Sequence, residues 1–310
     1  MSEIKKPAVL IAGPTAGGKS SIGMFLARKW NGVIVNADSM QVYRQMRILT
    51  ARPGKADETE IAHRLYGHVS AAEAYSAGKW LDDVKGVLSE IWQAGQLPII
   101  VGGTGLYFKM LLEGVAPVPD IDPDTRAYWR TKAEADGPEV LHKILSMRDP
   151  VMAGRLQSTD PQRLVRALEV LDGTGRSLAA WQNLEPTPPI LQEAETMRFV
   201  LAPPREVLYG RIEARFDAML EMGALDEARE VKALGLAPNL PAMKALGLKP
   251  LILHLEGELA LEKAVEDSKT ASRRYAKRQM TWLRGNMISW RWVVEQDMES
   301  QMEKIFSFIQ

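Results

Sequence analysis

The chain has 310 residues, 46% of them apolar and 25% charged, with 39 basic and 39 acidic side chains. That is an ordinary globular composition, long enough for one large domain or a core with a substantial insertion. Cysteine is absent, which excludes disulfides, cysteine-based zinc sites and thiol nucleophiles. The longest apolar runs, such as Leu97-Pro98-Ile99-Ile100-Val101, are too short to span a bilayer. Glu3 beside Lys5 and Lys6 does not read as a secretory signal. A cytoplasmic protein with no membrane partner is expected.

In chain order, Ala8-Val9-Leu10-Ile11-Ala12 reads as a buried strand, and 19–30 as a helix. Between them stands Gly13-Pro14-Thr15-Ala16-Gly17-Gly18-Lys19-Ser20, which fits the phosphate-cradling pattern G-x-x-x-x-G-K-[ST] at every required position. Glycines in such a P-loop let backbone N–H groups converge on an anion, and the helix N-terminus adds its partial positive charge. Lys19 reaches toward terminal phosphates in this pattern, and Ser20 offers a hydroxyl to Mg²⁺ or acts as an ordinary helix cap. Thr15 fits either a turn or a hydroxyl donor to the same anion.

A second strand is expected over 32–37, a helix over 79–92 with Leu81, Val84, Leu88, Ile91 and Trp92 on its apolar face, and a third strand over 97–101. Strand–helix alternation implies a mainly parallel sheet covered by helices, with chemistry at the carboxyl ends of the strands. Asp38 and Ser39 then share a rim with Thr104 and the P-loop. Asp38 suits two roles there, a turn cap or a carboxylate facing an acceptor group. Gln41 and Tyr43 suit base recognition or, for Tyr43, the core. After the third strand come Gly102-Gly103-Thr104-Gly105, with glycine where many NTPases place an Mg²⁺-binding acid. This weakens a motor or hydrolase reading and leaves a small-molecule kinase or another diphosphate-handling transferase. The glycines serve close ligand approach or a tight turn.

Pro117, Pro119 and Pro123 mark a junction, and 124–184 reads as helical, with Asp160-Pro161 opening its last long helix. Pro186, Pro188 and Pro189 mark the return, followed by a strand over 197–201 and a helix over 205–220. The expected divisions are 1–120 for the first part of the core, 121–195 for a helical insertion, and 196–310 for the rest of the core and a basic helical region. Arg211 and Arg215 lie one helical turn apart, suited to pairing with Glu213 or Asp217 on an exposed face, or to neutralising a diphosphate. Lys269, Arg273, Arg274, Lys277, Arg278 and Arg284 form a basic strip without an acidic residue between them, facing either a phosphate backbone or solvent. The four histidines show no metal-ligand spacing. The fold class read from this order is α/β: a P-loop NTPase-like core with a mainly parallel sheet flanked by helices, plus an inserted helical subdomain.

The ordered motifs resemble the tRNA dimethylallyltransferases, or tRNA isopentenyltransferases, over about residues 7 to 292. They are the P-loop, Asp38-Ser39-Met40-Gln41-Val42-Tyr43, Val101-Gly102-Gly103-Thr104-Gly105-Leu106-Tyr107, Asp160-Pro161-Gln162-Arg163, Arg211-Ile212-Glu213-Ala214-Arg215-Phe216, and Tyr275-Ala276-Lys277-Arg278-Gln279-Met280-Thr281-Trp282-Leu283-Arg284. The resemblance implies transfer of a dimethylallyl group from dimethylallyl diphosphate to N6 of adenosine 37 in the tRNA anticodon stem-loop. In that reading the P-loop holds the donor's diphosphate, Lys19, Arg215 and Thr15 attend the leaving group, Ser20 helps place Mg²⁺, and Asp38 orients the amine and takes its proton. The resemblance assigns Asp38, Ser39, Met40, Gln41, Thr104, Arg126, Gln162, Arg163, Leu164, Val165 and Arg166 to the RNA, together with Arg274, Lys277 and Arg278. It also implies a monomer of the shorter, bacterial form. Leu248 replaces a tyrosine usual in the family, leaving an RNA contact or local packing in question. The competing readings are a P-loop nucleoside or nucleotide kinase using ATP, and a nonenzymatic RNA-binding protein on the same scaffold.

Overall fold

The computed structural model describes residues 6–308; Glu3 and Lys5 lie outside them. All five residues of β1 (Ala8–Ala12) are buried, as in a strand covered on both faces. The P-loop leads from β1 into α1 (Lys19–Lys29), and β2 (Gly32–Asn36) follows, also fully buried. Next come α2 (Lys55–Glu60) and the two-residue β3 (His63–Arg64), both too short or too polar to show in the hydrophobic pattern. The Ser76 hydroxyl caps α3 (Ala77–Gln93), accepting from the Lys79 N–H. This helix buries Trp80, Val84, Val87, Leu88 and Ile91. Leu81 and Trp92, expected on that face, are only partly buried at its margin. The first half closes with β4 (Leu97–Gly102) and α4 (Gly105–Glu113).

Residues 113–189 form one compact unit. It contains α5 (Pro123–Arg148), α6 (Pro150–Ala153), α7 (Pro161–Thr174) and α8 (Leu178–Gln182). Gly137, at φ 77° before Pro138, divides α5 into two segments. Trp129, Leu141, Leu145, Leu164 and Leu168 make the unit's own core, and the Trp129 indole donates to Asp172 Oδ2 at 2.7 Å.

Residues 1–112 and 190–310 form the other unit, within the described span. Its second part comprises β5 (Thr196–Leu201), α9 (Arg205–Glu221), α10 (Ala224–Ala233), α11 (Leu248–Leu255), α12 (Leu261–Asn286), β6 (Arg291–Val293) and α13 (Met298–Ser307). Its sheet runs β3-β2-β4-β1-β5-β6, with every adjacent pair parallel. Alternate strand residues serve opposite faces. Leu10, Val35 and Ile100 pack with Trp80, Leu88, Phe108 and Leu283, whereas Ile11, Ile34, Ile99 and Phe199 pack with Ile22, Leu26 and Ile305. The mainly parallel α/β core with helices on both faces, together with a helical unit, is therefore present.

The register places the site. Ala12 pairs with Gly102, and Asn36 with Val101, so β1, β2 and β4 finish level and release their loops side by side. A Cβ on Gly102 would stand 2.0 Å from the Ala37 carbonyl oxygen; one on Gly103 would meet the Gln279 amide, and one on Gly105 the Trp282 ring. Gly102 and Gly103 thus lie against protein neighbours, which removes the reading of close ligand approach and leaves that of a turn. Gly102→Ala is expected to destabilise the protein by about 1–3 kcal/mol through overpacking. Gly86→Ala, in α3 with nothing within 4 Å, should stabilise it by about 0.5–1 kcal/mol. Urea unfolding of both variants checks the pair; equal midpoints would overturn the close-approach argument.

Candidate active site

The P-loop backbone is held in an unusual geometry. Ala16 has φ 61° and Gly18 φ 94°, left-handed conformations that alanine adopts only when its surroundings impose them. Gly18 caps α1 without any side-chain bond, so Ser20 is not the helix cap that one reading allowed. The Gly17 N–H bonds Pro14 O at 3.1 Å. Among the described residues, nothing accepts from the N–H groups of Ala16, Gly18, Lys19 or Ser20. Unpaired donors converging at a helix N-terminus form an anion cradle.

Two cations and one carboxylate share this cradle. Lys19 Nζ donates to Pro14 O at 2.7 Å. Burial lowers its ammonium pKa to about 8; the Asp38 carboxylate opposes that fall and Arg215 adds to it. Burial likewise pulls the Arg215 guanidinium below its ordinary value, again against Asp38. Arg215 reaches from α9 to donate to Thr15 Oγ1. It pairs with neither Glu213 nor Asp217, because α12 claims both: Arg273 bonds Glu213 at 2.7 Å and Lys269 bonds Asp217 at 2.7 Å. Arg211, on the same face, donates to the Gln296 carbonyl and lies near Gly18. The exposed ion-pair face anticipated for these arginines is thus replaced by an inward one.

Asp38 takes both roles open to it. Its Oδ1 accepts from the Met40 N–H at 2.9 Å, an Asx-type turn, which leaves Oδ2 for other work. The backbone of Asp38 is clamped by buried Asn36, whose Oδ1 accepts from Asp38 N at 2.8 Å and whose Nδ2 donates to Asp38 O at 2.9 Å. Around the carboxylate, Tyr66, Tyr107 and Tyr275 have raised pKa values, first from burial and next from the charge of Asp38. These phenols stay protonated and neutral. Thr104 Oγ1 accepts from the Ser39 N–H at 3.0 Å, so the shared rim is bonded directly. Gln41 donates to Thr50 O and Ala51 O, both at 2.9 Å, shaping the loop from within, while Tyr43 is fully buried.

Three supports were not assigned from sequence. Asn36 ends the apolar run Gly32-Val33-Ile34-Val35, and a lone amide after four apolar residues is the one local signal for it. Buried Glu227 accepts from three successive N–H groups, of Arg47, Ile48 and Leu49, at 2.7, 2.8 and 2.8 Å, anchoring the loop after Asp38 to α10. Gln279 links Thr15 to Gly103, and nothing in its neighbours announces that. Leu248 is fully buried at the start of α11, so this position is one of packing.

The proposed RNA contacts divide between surfaces. In the helical unit, Gln162 and Arg163 are exposed, Leu164 is spent on the core and Val165 packs against it. Arg126 faces Asp120 at 3.6 Å and Arg166 faces buried Glu169 at 3.8 Å. Along α12, Lys269 and Arg273 are consumed by ion pairs, whereas Arg274, Lys277 and Arg278 line a cavity of about 520 Å³ with Thr281 and Trp282.

The IPP transferase family pattern matches residues 41–286. The chain belongs to this family. A tRNA dimethylallyltransferase of Parvibaculum lavamentivorans is 49% identical over 309 residues, covering 100% of this chain and 98% of its own. One from Bradyrhizobium sp. strain BTAi1 is 51% identical over 286 residues, covering 92% and 93%. The crystal structure of the full-length tRNA isopentenylpyrophosphate transferase of Bacillus halodurans superposes with a TM-score of 0.70 at 33% identity, covering 98% of this chain and 96% of that one. A eukaryotic dimethylallyltransferase acting on tRNA gives 0.76 at 28% identity, covering 89% and 69%. The family pattern begins beyond the P-loop and takes in Arg215, while the Parvibaculum lavamentivorans relative spans the P-loop as well.

The lowered Lys19 pKa has a definite sign. Between about 8 and its ordinary 10.5, the folded protein holds this lysine neutral while an unfolded chain holds it charged. Affinity for a diphosphate monoester should therefore fall about tenfold from pH 7 to pH 9, as the binding form is lost. Calorimetric titration checks this, and Lys19→Met should flatten the profile; a flat profile for the wild type would overturn it.

Proposed function

We propose that the protein transfers a dimethylallyl group from dimethylallyl diphosphate to N6 of adenosine 37 in tRNA, releasing diphosphate. The observation that carries this is the gathering of Asp38, Lys19 and Arg215 at one rim: Lys19 and Arg215 bond the P-loop at Pro14 O and Thr15 Oγ1, and the charge of Asp38 acts on both, in a chain of the IPP transferase family. The reaction needs both poles. The allylic C1–O bond breaks, negative charge builds on the departing diphosphate, and C1 gains positive character. Lys19, Arg215 and the open P-loop N–H groups meet that charge where it develops. The N6–C1 bond forms, and the N6 proton passes to Asp38 Oδ2. The adenine amine is a weak nucleophile because its lone pair is delocalised, so orientation and proton removal both lower the barrier.

Mg²⁺ fits the donor set. Ser20 lies in the first turn of α1 beside the cradle, and no group of three or more His, Cys, Asp or Glu among the described residues forms a cage of its own. Magnesium suits such a site because it keeps water and is held mainly by phosphate oxygens. Ser20 would hold it with the diphosphate, where the ion supplies charge neutralisation to the leaving group.

Adenosine 37 must leave its stack to reach a carboxylate set partly inside the protein. In this reading Ser39, Met40, Gln41 and Thr104 form the rim that receives the base. Arg126, Gln162, Arg163 and Arg166 contact RNA from the helical unit, Leu164 and Val165 serving its core instead, and Arg274, Lys277 and Arg278 contact it from α12. A kinase reading is disfavoured at Gly102, where the close approach to Ala37 excludes any side chain and hence an Mg²⁺-binding acid.

Purified protein incubated with labelled dimethylallyl diphosphate, Mg²⁺ and unmodified tRNA carrying A36 and A37 should yield the prenylated nucleoside by mass spectrometry. Absence of product from folded protein over a range of such tRNAs would sink the reading. Asp38→Asn should lower kcat by about 10²- to 10⁴-fold, the usual worth of a general base, with donor affinity nearly unchanged. Equal losses in both would remove Asp38 from the proton transfer. For the α12 surface, Arg274→Gln with Lys277→Gln should reduce the slope of log K against log salt for tRNA by about 1.4 to 1.8, at 0.7–0.9 per phosphate contact. Filter binding over a salt series measures it; an unchanged slope would move the RNA elsewhere.

A further inference from the structure

Gln279 is buried at 6% exposure, in the middle of α12. Its Oε1 accepts from the Thr15 N–H at 2.8 Å, and its Nε2 donates to Gly103 O at 3.0 Å. One side-chain amide thus bonds the P-loop after β1 to the glycine turn after β4. Gly103 has no room for a Cβ because the Gln279 amide occupies that space, 2.1 Å from where one would stand. The amide is oriented without ambiguity: an N–H faces its carbonyl end and a C=O faces its NH₂ end.

The consequence falls on Thr15. Its N–H is engaged by Gln279 and its Oγ1 accepts from Arg215. With the oxygen receiving the guanidinium, the hydroxyl proton must point elsewhere, and the cradle is where an anionic acceptor would lie. The Thr15 N–H, by contrast, is withdrawn from the cradle, leaving anion binding to Ala16, Gly18, Lys19 and Ser20.

We infer that Gln279 is a positioning residue for the donor diphosphate: it holds the P-loop at Thr15 so that the threonine hydroxyl and Arg215 act as one unit on the leaving group. This rests on the prenyl-transfer reading of the same site. Gln279 touches no reacting atom. Its effect therefore belongs in donor affinity and in the step that expels diphosphate, with tRNA affinity spared.

Two substitutions separate the parts of the amide. Gln279→Leu removes both hydrogen bonds at similar size. Gln279→Glu keeps the acceptor for the Thr15 N–H, but sets a carboxylate oxygen against Gly103 O and adds negative charge near the cradle. Both variants should raise the dissociation constant for dimethylallyl diphosphate about tenfold or more, the worth of a hydrogen bond to a charged site, and Gln279→Glu by more than Gln279→Leu. The KM for tRNA should stay within about twofold. In the ligand-free wild type, the Thr15 amide should exchange with deuterium at least about tenfold more slowly than that of Ala16, a measurement that needs no variant to fold. Wild-type protein that does not bind the donor would overturn the prenyl-transfer reading and this inference together. Wild type that binds, with both variants binding as well, or a Thr15 amide exchanging as fast as that of Ala16, would overturn this inference alone.

Discussion

A Cβ at position 102 would stand 2.0 Å from the Ala37 carbonyl oxygen, and this close approach of β4 to the end of β2 governs the rest of the site. Because the strands end level, three loops that are distant in sequence leave the sheet within hydrogen-bond reach. Thr104 N–H bonds Ala37 O at 3.1 Å, and Thr104 Oγ1 receives the Ser39 N–H. Gln279 then ties the β4 turn to the P-loop. The rim is a continuous bonded seam, each link having a backbone group at one end at least. Preorganisation of this kind lets charges face a developing transition state without reorganising.

Electrostatics supply the second constraint. Lys19 and Arg215 are like charges pressed together in a buried place, and each is destabilised by that burial. Asp38 outweighs the repulsion at Lys19 but offsets the cost of burial only in part. A diphosphate entering the cradle relieves it further, which makes ligand binding the natural completion of the charge set. The three phenols facing Asp38 add polarity without adding charge. The carboxylate is left as the negative pole for an amine substrate.

Legibility varied with the range of the contacts involved. The strands expected over 8–12, 32–37 and 97–101 were readable because their residues, Asn36 excepted, are apolar, the mark of parallel strands covered on both faces. On α3 the expected Val84, Leu88 and Ile91 are buried, while Trp80 and Val87 widen the stripe and Leu81 and Trp92 lie at its margin. β3, with two residues, and α2, with no buried residue, carried no periodic signal. The basic strip of α12 looked uniform, yet the fold divides it. Glu213 and Asp217 of α9 neutralise Lys269 and Arg273, and only one flank stays open.

The sequence by itself determined the P-loop, the parallel α/β class, the helical insertion and the identity of Lys19 and Asp38 as the residues to watch. Each depends on neighbours within one short segment, so backbone sterics and hydrophobic period suffice to reveal it. Tertiary structure alone decided which way Arg215 faces, what Gln279 holds and why Glu227 is buried. Arg215 meets Thr15 across 200 positions, and Gln279 meets it across 264. Contacts at that separation are set by sheet register and helix packing, and no local pattern encodes them. Position 102 joins the two levels: its glycine is plain in the sequence, but the carbonyl that demands it comes from another strand.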